Sequence, residues 1–255
     1  MARISEHLDT INSQYQAMSS RYDRVKTLPY AMVERETICS GLPDLTGKKV
    51  LDVACGTGFY SRLYKRLGAE TVVGIDLIPG MVDIARAIEK EAPLGISYEV
   101  ADVATLAVLG EFDVVTPIWA LPYAKNADEY YEMTLNCANN LVAGGTMVAL
   151  CDNPGIDVDG MSVYSRYGLS ITPTDNIGDL RVVHIQMDVE PPVGFNGFHH
   201  PPGIVERSMS KAGLVDIQRH QVVAPGHTAD EPGQGYWAAI VQNPPFALYT
   251  ARKLA

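Results

Sequence analysis

Four cysteines are all that the 255 residues contain, and no two of them are spaced as a C-x-x-C pair. Cys39, Cys55, Cys137 and Cys151 therefore offer neither the ligand spacing of a zinc site nor a redox dithiol, and reduced, buried thiols in a cytosolic protein are expected. No metal is expected. Basic residues are also few: 20 Lys and Arg against 30 Asp and Glu leave a formal net charge of −10. Such a surface repels a phosphate backbone, which argues against a nucleic-acid partner. The basic trio Arg62, Lys65 and Arg66 has helical spacing and reads as a solvated helix face, as does the charged stretch RAIEKE at 86–91. No apolar run is long enough to span a bilayer. The opening MARISEHLDT carries charge where a secretory leader has an apolar stretch, so no membrane partner and a cytoplasmic location are expected. There is no G-x-S-x-G elbow and no activated-cysteine context, which removes the usual covalent nucleophiles.

What is present is alternation. Residues 1–45 read as amphipathic helix, with Ile11, Tyr15, Met18 and Tyr22 gathered on one face. From Lys48 onward short β-rich runs alternate with helical ones: KKVLDVA, a helix near 58–68, TVVGID, a helix near 79–91, ISYEVAD, FDVVTPI, a helix near 127–142, and GTMVALCD. Strands alternating with helices imply parallel pairing with right-handed crossovers. The late runs LVDIQRHQVV and YWAAIVQ are expected to close one edge as an antiparallel pair. The fold class is thus a doubly wound, Rossmann-like α/β sheet of seven strands, mostly parallel with an antiparallel closing strand. Between Asp152 and His200 the alternation lapses around one strand-like run, LRVVHIQMDV, and a loop-rich stretch of that length is usually functional. A single domain is expected: a helical lid at 1–45, a ligand-binding core at 46–151, an inserted cap at 152–200, and a C-terminal helix with closing strands at 201–255.

The strongest local signal is VLDVACGTGFYSRL at 50–63, where an apolar strand carrying Asp52 runs through Gly56 and Gly58 into a helix. Glycines there let the backbone approach a ligand, and the helix start offers unpaired N–H groups. A nicotinamide enzyme would use the same architecture, but its fingerprint wants Gly or Ala where this chain has Ser61. Asp76 closes the next strand twenty residues beyond Gly56, a spacing suited to ribose hydroxyls, and Asp102 closes the third. Three strand-ending acids line up acceptors along one sheet edge. With no Arg or Lys in the loop to hold phosphates, the pattern suits adenosine joined to an amino acid.

The ordered segments DVACGTG, VVGIDLIPGMV, EVADV and FDVVTPIWAL resemble the motifs of class I S-adenosylmethionine-dependent methyltransferases, over roughly residues 46–151. Ala54 stands where many members have the first glycine of the loop. YDRVKTLPY and FNGFHHPP are similar to a small-molecule branch that includes toxoflavin-synthase-like enzymes. The resemblance implies S-adenosyl-L-methionine as cofactor, with Ala54, Gly56 and Gly58 against its methionine moiety and Asp52 at the base of that loop. It implies that Asp76 holds the ribose, that Leu77 and Met81 flank the adenine, and that Asp102 and the Val103 N–H bind the adenine edge. Carbonyls around Pro117 and Ile118 would face the methionine ammonium.

A sulfonium is a cation, so aromatic side chains near it are physically sensible. Tyr15 and Tyr22 are the candidates on the cofactor side, Tyr15 being also a catalytic candidate, and Trp119 and Tyr123 are candidates for the acceptor. His199 and His200 could each take a proton from a small-molecule acceptor, and His199 could also contact it. Adjacent residues of an extended segment point different ways, so one of the two is expected to face the cleft; His184 reads as structural. The function implied is in-line methyl transfer, which needs alignment rather than a covalent nucleophile, in secondary metabolism. Alternatives are an enzyme that cyclises the amino-acid arm of the same cofactor, a cofactor-sensing module without turnover, and an NAD-dependent dehydrogenase.

Overall fold

A computed structural model describes residues 2–156, 164–226 and 234–254; part of the expected cap, residues 157–163, lies outside them. Helix α1 (Ala2–Met18), a 3₁₀ segment (Ser19–Thr27) and α2 (Pro29–Gly41) precede the alternating core. That core runs β1 (Lys49–Val53), α3 (Phe59–Arg66), β2 (Thr71–Asp76), α4 (Pro79–Glu91), β3 (Ile96–Val100), β4 (Phe112–Pro117), α5 (Ala127–Asn139) and β5 (Leu141–Asp152). After it come β6 (Leu169–Ile177), β7 (Leu180–Met187), β8 (Val193–His199), α6 (Ile204–Lys211), β9 (Leu214–Arg219), α7 (Gln234–Gln242) and β10 (Phe246–Lys253).

The main sheet has seven strands in the order β3-β2-β1-β4-β5-β10-β9, and only β10 runs against its neighbours. Its central strands are apolar on both faces because helices cover both. Val50 packs with Tyr60 and Tyr64 of α3 and Val82 of α4, whereas its neighbour Leu51 packs on the opposite side with Tyr130 and Cys137 of α5 and Met209 of α6. Register aligns the carboxyl ends: Val53 lies beside Ile75 and Pro117, and Asp76 beside Val100. The loops after β1, β2, β3 and β4 therefore open on one edge, where such sheets bind ligands.

Three expectations need correction. The run YWAAIVQ is helical, not a closing strand: Trp237 and Ile240 are buried three residues apart, and two alanines favour helix. The second closing strand is Phe246–Lys253, which pairs with β5 over seven register positions. The cap is also not a loop around one strand but a three-stranded antiparallel sheet, β6-β7-β8. Its polar, Pro- and Gly-bearing edge strands hid the alternation. Finally, Arg62 is 9% exposed. It bonds Glu89 at 2.8 Å and the Ala92 carbonyl, and Glu89 also accepts from the backbone N–H groups of Leu94, Gly95 and Ile96. These two charges pin the α4–β3 loop rather than facing solvent.

The N-terminal segment is held by a buried carboxylate that the amphipathic pattern concealed. Glu34 of α2, 1% exposed, receives Lys26 Nζ at 2.9 Å and the Tyr60 hydroxyl at 2.5 Å on one oxygen. Its other oxygen receives the Tyr30 hydroxyl at 2.5 Å and Trp119 Nε1 at 2.7 Å. Four donors from the N-terminal segment, α3 and the β4 exit thus converge on one acceptor. Burial alone would raise its pKa; the Lys26 ammonium and the tyrosine hydroxyls outweigh that and hold it below the usual carboxylate range. Helix α1 meanwhile packs Ile11 on Leu180, Val182 and Phe198 of the cap.

A group with a depressed folded-state pKa contributes stability that is complete above its unfolded value and is lost as pH falls through the folded one. Urea denaturation should therefore show stability declining below the ordinary carboxylate range. Glu34→Gln should be less stable at pH 7 by about 3–5 kcal/mol, because Lys26 is left buried without its counter-charge, and its acid dependence should be shallower. Equal stability of the two proteins at pH 7 would show that the network does not hold the segment. Gly58 offers a second test. Its φ is +86°, and a Cβ there would lie 2.4 Å from the Tyr98 hydroxyl oxygen. Gly58→Ala should cost about 1–3 kcal/mol in the same assay, and an unchanged midpoint would contradict this packing.

Candidate functional site

The loop after β1 turns back on itself through three left-handed residues, Ala54 (φ 61°), Gly56 (φ 55°) and Gly58 (φ 86°). Alanine pays a steric penalty in that conformation that glycine does not, and such outliers concentrate at functional sites. Asp76 secures the curl: one carboxylate oxygen accepts from the Gly56 N–H at 2.8 Å and the other from the Ile78 N–H at 2.9 Å. One side chain thereby ties the β1 loop to the β2 exit. Asp76 is 8% exposed, and burial raises its pKa against the pull of these two N–H groups. Asp102 caps the short turn that follows β3 by accepting from the Ala104 N–H at 2.8 Å.

These loops wall a cavity of about 330 Å³, within the range of small-molecule sites. Ala54, Gly56, Asp76, Asp102, Val103 and Ile118 line it from the strand exits, with Leu77 and Met81 on one side and Tyr15 and Tyr22 from the N-terminal segment on the other. Leu77 remains 45% exposed, so that wall is open to solvent. Lys26 also lines the cavity, with its ammonium 4.6 Å from the centre of the Tyr60 ring. Thr57, in the loop, donates to Asp23 of the 3₁₀ segment, a second tie between the loop and the N-terminal segment.

A second, smaller cavity of about 70 Å³ adjoins the first beneath the cap sheet. Tyr15, Tyr22, Trp119 and Tyr123 line both, so they form a shared wall. The Tyr15 and Tyr123 hydroxyls lie 2.6 Å apart, and the Tyr15 ring is 4.9 Å from that of Phe195 in β8. Trp119 has φ 59°, a strained value for a bulky residue, and its indole N–H is held by Glu34. His199 lines the second cavity, and its Nδ1 lies 2.9 Å from Asp152 Oδ2 at the end of β5.

Four sequence candidates sit elsewhere. Gly58 lines neither cavity; its missing Cβ makes room for Tyr98, and Gly56 is the glycine that faces the open space. Asp52 is 1% exposed behind the loop, accepting from Ser61 Oγ at 2.5 Å and Thr116 Oγ1 at 3.4 Å. Burial pushes its pKa up to about 7. Pro117 is a sheet residue beside Val53 and does not line the cavity, whereas Ile118 does. His200 faces away from both cavities, with Nε2 3.1 Å from the Pro122 carbonyl and its ring edge-on to Tyr130. Burial lowers its pKa, so it stays neutral. The end of β8 decides this pair: His199, its last residue, faces the second cavity, and His200, just beyond it, points the other way into the packing of Tyr130 and Pro122. His184, read from the sequence as structural, lies 3.0 Å from the Asn196 amide oxygen across β7 and β8 and lines neither cavity.

Sequence reasoning missed Glu34, Lys26, Asp23 and Asp152. Asp152 closes a strand as Asp76 does, so the same signal would have found it. Glu34 falls at an apolar position of α2, between Tyr30 and Ile38, and a charge in such a stripe is the signal for a buried network.

Residues 50–145 match the family model described as a methyltransferase domain. Among relatives, an uncharacterized protein of Haemophilus influenzae is 30% identical over 141 residues, 52% of this chain and 54% of that protein. The ubiquinone biosynthesis O-methyltransferase of Xanthomonas campestris is 37% identical over 105 residues, 40% of this chain and 42% of the enzyme. The chain thus spans about half the length of the curated relatives it matches. The crystal structure of an S-adenosylmethionine-dependent methyltransferase from Mesorhizobium loti superposes with a TM-score of 0.62 at 20% identity, covering 87% of this chain and 98% of that one. The matched segment holds β1 through the start of β5, with the left-handed loop, Asp76 and Asp102. Residues 50–145 are thus similar to a methyltransferase domain, and the chain has the fold of the S-adenosylmethionine-dependent methyltransferase from Mesorhizobium loti.

Proposed function

We propose that the chain transfers a methyl group from S-adenosylmethionine to a small-molecule acceptor by in-line displacement. The observation that carries this reading is the pair of adjoining cavities. One is lined by strand-end acids and a left-handed glycine loop, the other by apolar residues, and an aromatic wall is common to both. The cofactor supplies an activated methyl group when bound; the protein's task is alignment and exclusion of water.

The residues present fit that cofactor. Asp76 uses one lone pair on each oxygen for the Gly56 and Ile78 N–H groups, which leaves acceptor capacity for a ribose diol. Asp102 and the Val103 N–H suit the adenine edge, with Leu77 and Met81 as apolar walls. Ala54 and Gly56 bound the end that takes the methionine moiety, and the carbonyl of Ile118 suits its ammonium. Asp52 acts through Ser61 and Thr116 to fix the loop from behind, as a positioning residue. Tyr15 and Tyr22 present ring faces and hydroxyl oxygens to a sulfonium. Trp119, Tyr123 and His199 then face the acceptor. The O-methyltransferases among the relatives support an oxygen acceptor, with the likeness confined to less than half of each chain.

Incubation with methyl-labelled cofactor tests the reading: label should appear in another molecule. Methylthioadenosine without transfer would mean cyclisation of the amino-acid arm, and unchanged cofactor would mean binding alone. Calorimetry with S-adenosylhomocysteine should show Asp76→Ala weakened by about tenfold to a hundredfold, from loss of charge-assisted bonds worth about 1.5–3 kcal/mol. Unchanged affinity in a folded variant would remove Asp76 from the cofactor site.

A further inference from the structure

The second cavity has a chemistry of its own. Its lining holds one hydrogen-bonded polar pair, Asp152 and His199, and no Lys, Arg or Glu among the described residues. The cap supplies Leu169, Ile171, Val183 and Ile185, and the opposite side is aromatic. A carboxylate entering this space would lose its hydration and meet no cation, and an ammonium would find the Asp152 oxygen that faces His199 already taken by two N–H donors, whereas a flat neutral ring would meet ring faces and aliphatic side chains.

The polar pair is oriented. Asp152 Oδ2 receives His199 Nδ1 at 2.9 Å and the His200 backbone N–H at 3.1 Å. The first contact fixes Nδ1 as the protonated ring nitrogen, which makes Nε2 the basic one. Asp152 is 9% exposed and anchored at the end of a central strand, so it holds the imidazole in place and steadies the imidazolium that forms. It is a positioning residue; His199 is the group that meets the acceptor.

We propose that the acceptor is an uncharged aromatic ring bearing one weakly acidic proton on oxygen or ring nitrogen, held in this chamber with that proton directed at His199 Nε2. The inference rests on the reading that the larger cavity holds S-adenosylmethionine. As the heteroatom's lone pair forms a bond to the methyl carbon, the methyl–sulfur bond breaks and its electron pair stays on sulfur, giving a neutral thioether. The acceptor's proton passes to His199 and is released to solvent after the product leaves. Charge balances: one sulfonium and one neutral acceptor give a thioether, a methylated ring and a proton.

The smallness of the chamber selects single-ring probes. With S-adenosylhomocysteine bound, ligand-observed NMR should find phenol held at least about tenfold more tightly than benzoate or benzylammonium. Ile171→Phe should fill the chamber and abolish phenol binding with S-adenosylhomocysteine affinity retained. Methyl transfer to phenol should fall by about 10²–10⁴ in His199→Gly, with KM for both substrates within a few-fold, and added imidazole should restore part of the rate. Asp152→Asn should lower kcat in the same direction with KM preserved. The proposal is overturned by benzoate or benzylammonium binding as well as phenol, by phenol left unmethylated, or by His199→Gly turning over within threefold of the parent. Failure of the parent to bind S-adenosylhomocysteine would instead overturn the reading beneath it.

Discussion

A carboxylate removed from water must find donors for its lone pairs, and Glu34 finds four on three separate parts of the chain. Lys26 and Tyr30 belong to the N-terminal segment, Tyr60 to the helix that follows the glycine loop, and Trp119 to the exit of β4. Because the penalty for an unpaired buried charge is large, these groups hold their places together or not at all. Both walls of the larger cavity depend on that constraint. Tyr22 and Lys26 stand on one side of it because Glu34 fixes the segment, and Trp119 turns toward the shared wall, through an unfavourable backbone angle, because its indole N–H is claimed.

The same economy of buried acceptors recurs at the sheet edge. Asp76 uses backbone N–H groups from two loops to set their spacing, Asp102 caps the turn beside it, and Asp152 sets the ring of His199. Each carboxylate ends a strand or a strand's exit and is held there by hydrogen bonds. The cap differs. It is an antiparallel sheet outside the main one, held to the N-terminal helix through Ile11 and through Gln14, which accepts from the Asn196 N–H. The strand-end carboxylates thus stand on the main sheet, while the cap contributes apolar side chains and His199 to the second cavity.

The mostly parallel sheet and the strand ends that line the larger cavity were legible because apolar runs such as VVGI in β2 recur between helical segments, with glycines or acids following β1, β2 and β3. Of the cap's three strands only β7 was, within the run LRVVHIQMDV, since a solvent-facing edge strand such as LSITPTDNI alternates weakly and is fully buried only at Leu169. YWAAIVQ was misread because a seven-residue apolar run carries no period of its own; the tertiary contact of Trp237 with Tyr167 helps decide it. Gly58 and His200 were placed toward ligand by motif and by neighbourhood, and both proved to be set by packing: one against Tyr98, the other against Tyr130 and Pro122. Glu34 was invisible to a reading that sorts residues by apolar periodicity, since a paired carboxylate can occupy an apolar position.

The central claim is that two chambers meet at one aromatic wall and that the methyl group crosses it. A crystal structure with S-adenosylhomocysteine tests this most directly. The account predicts the ribose on Asp76, the adenine between Leu77 and Met81, and the sulfur at the wall of Tyr15, Tyr22, Trp119 and Tyr123, on the side toward His199. A ligand whose sulfur points away from that wall, or one bound outside the larger cavity, would contradict it.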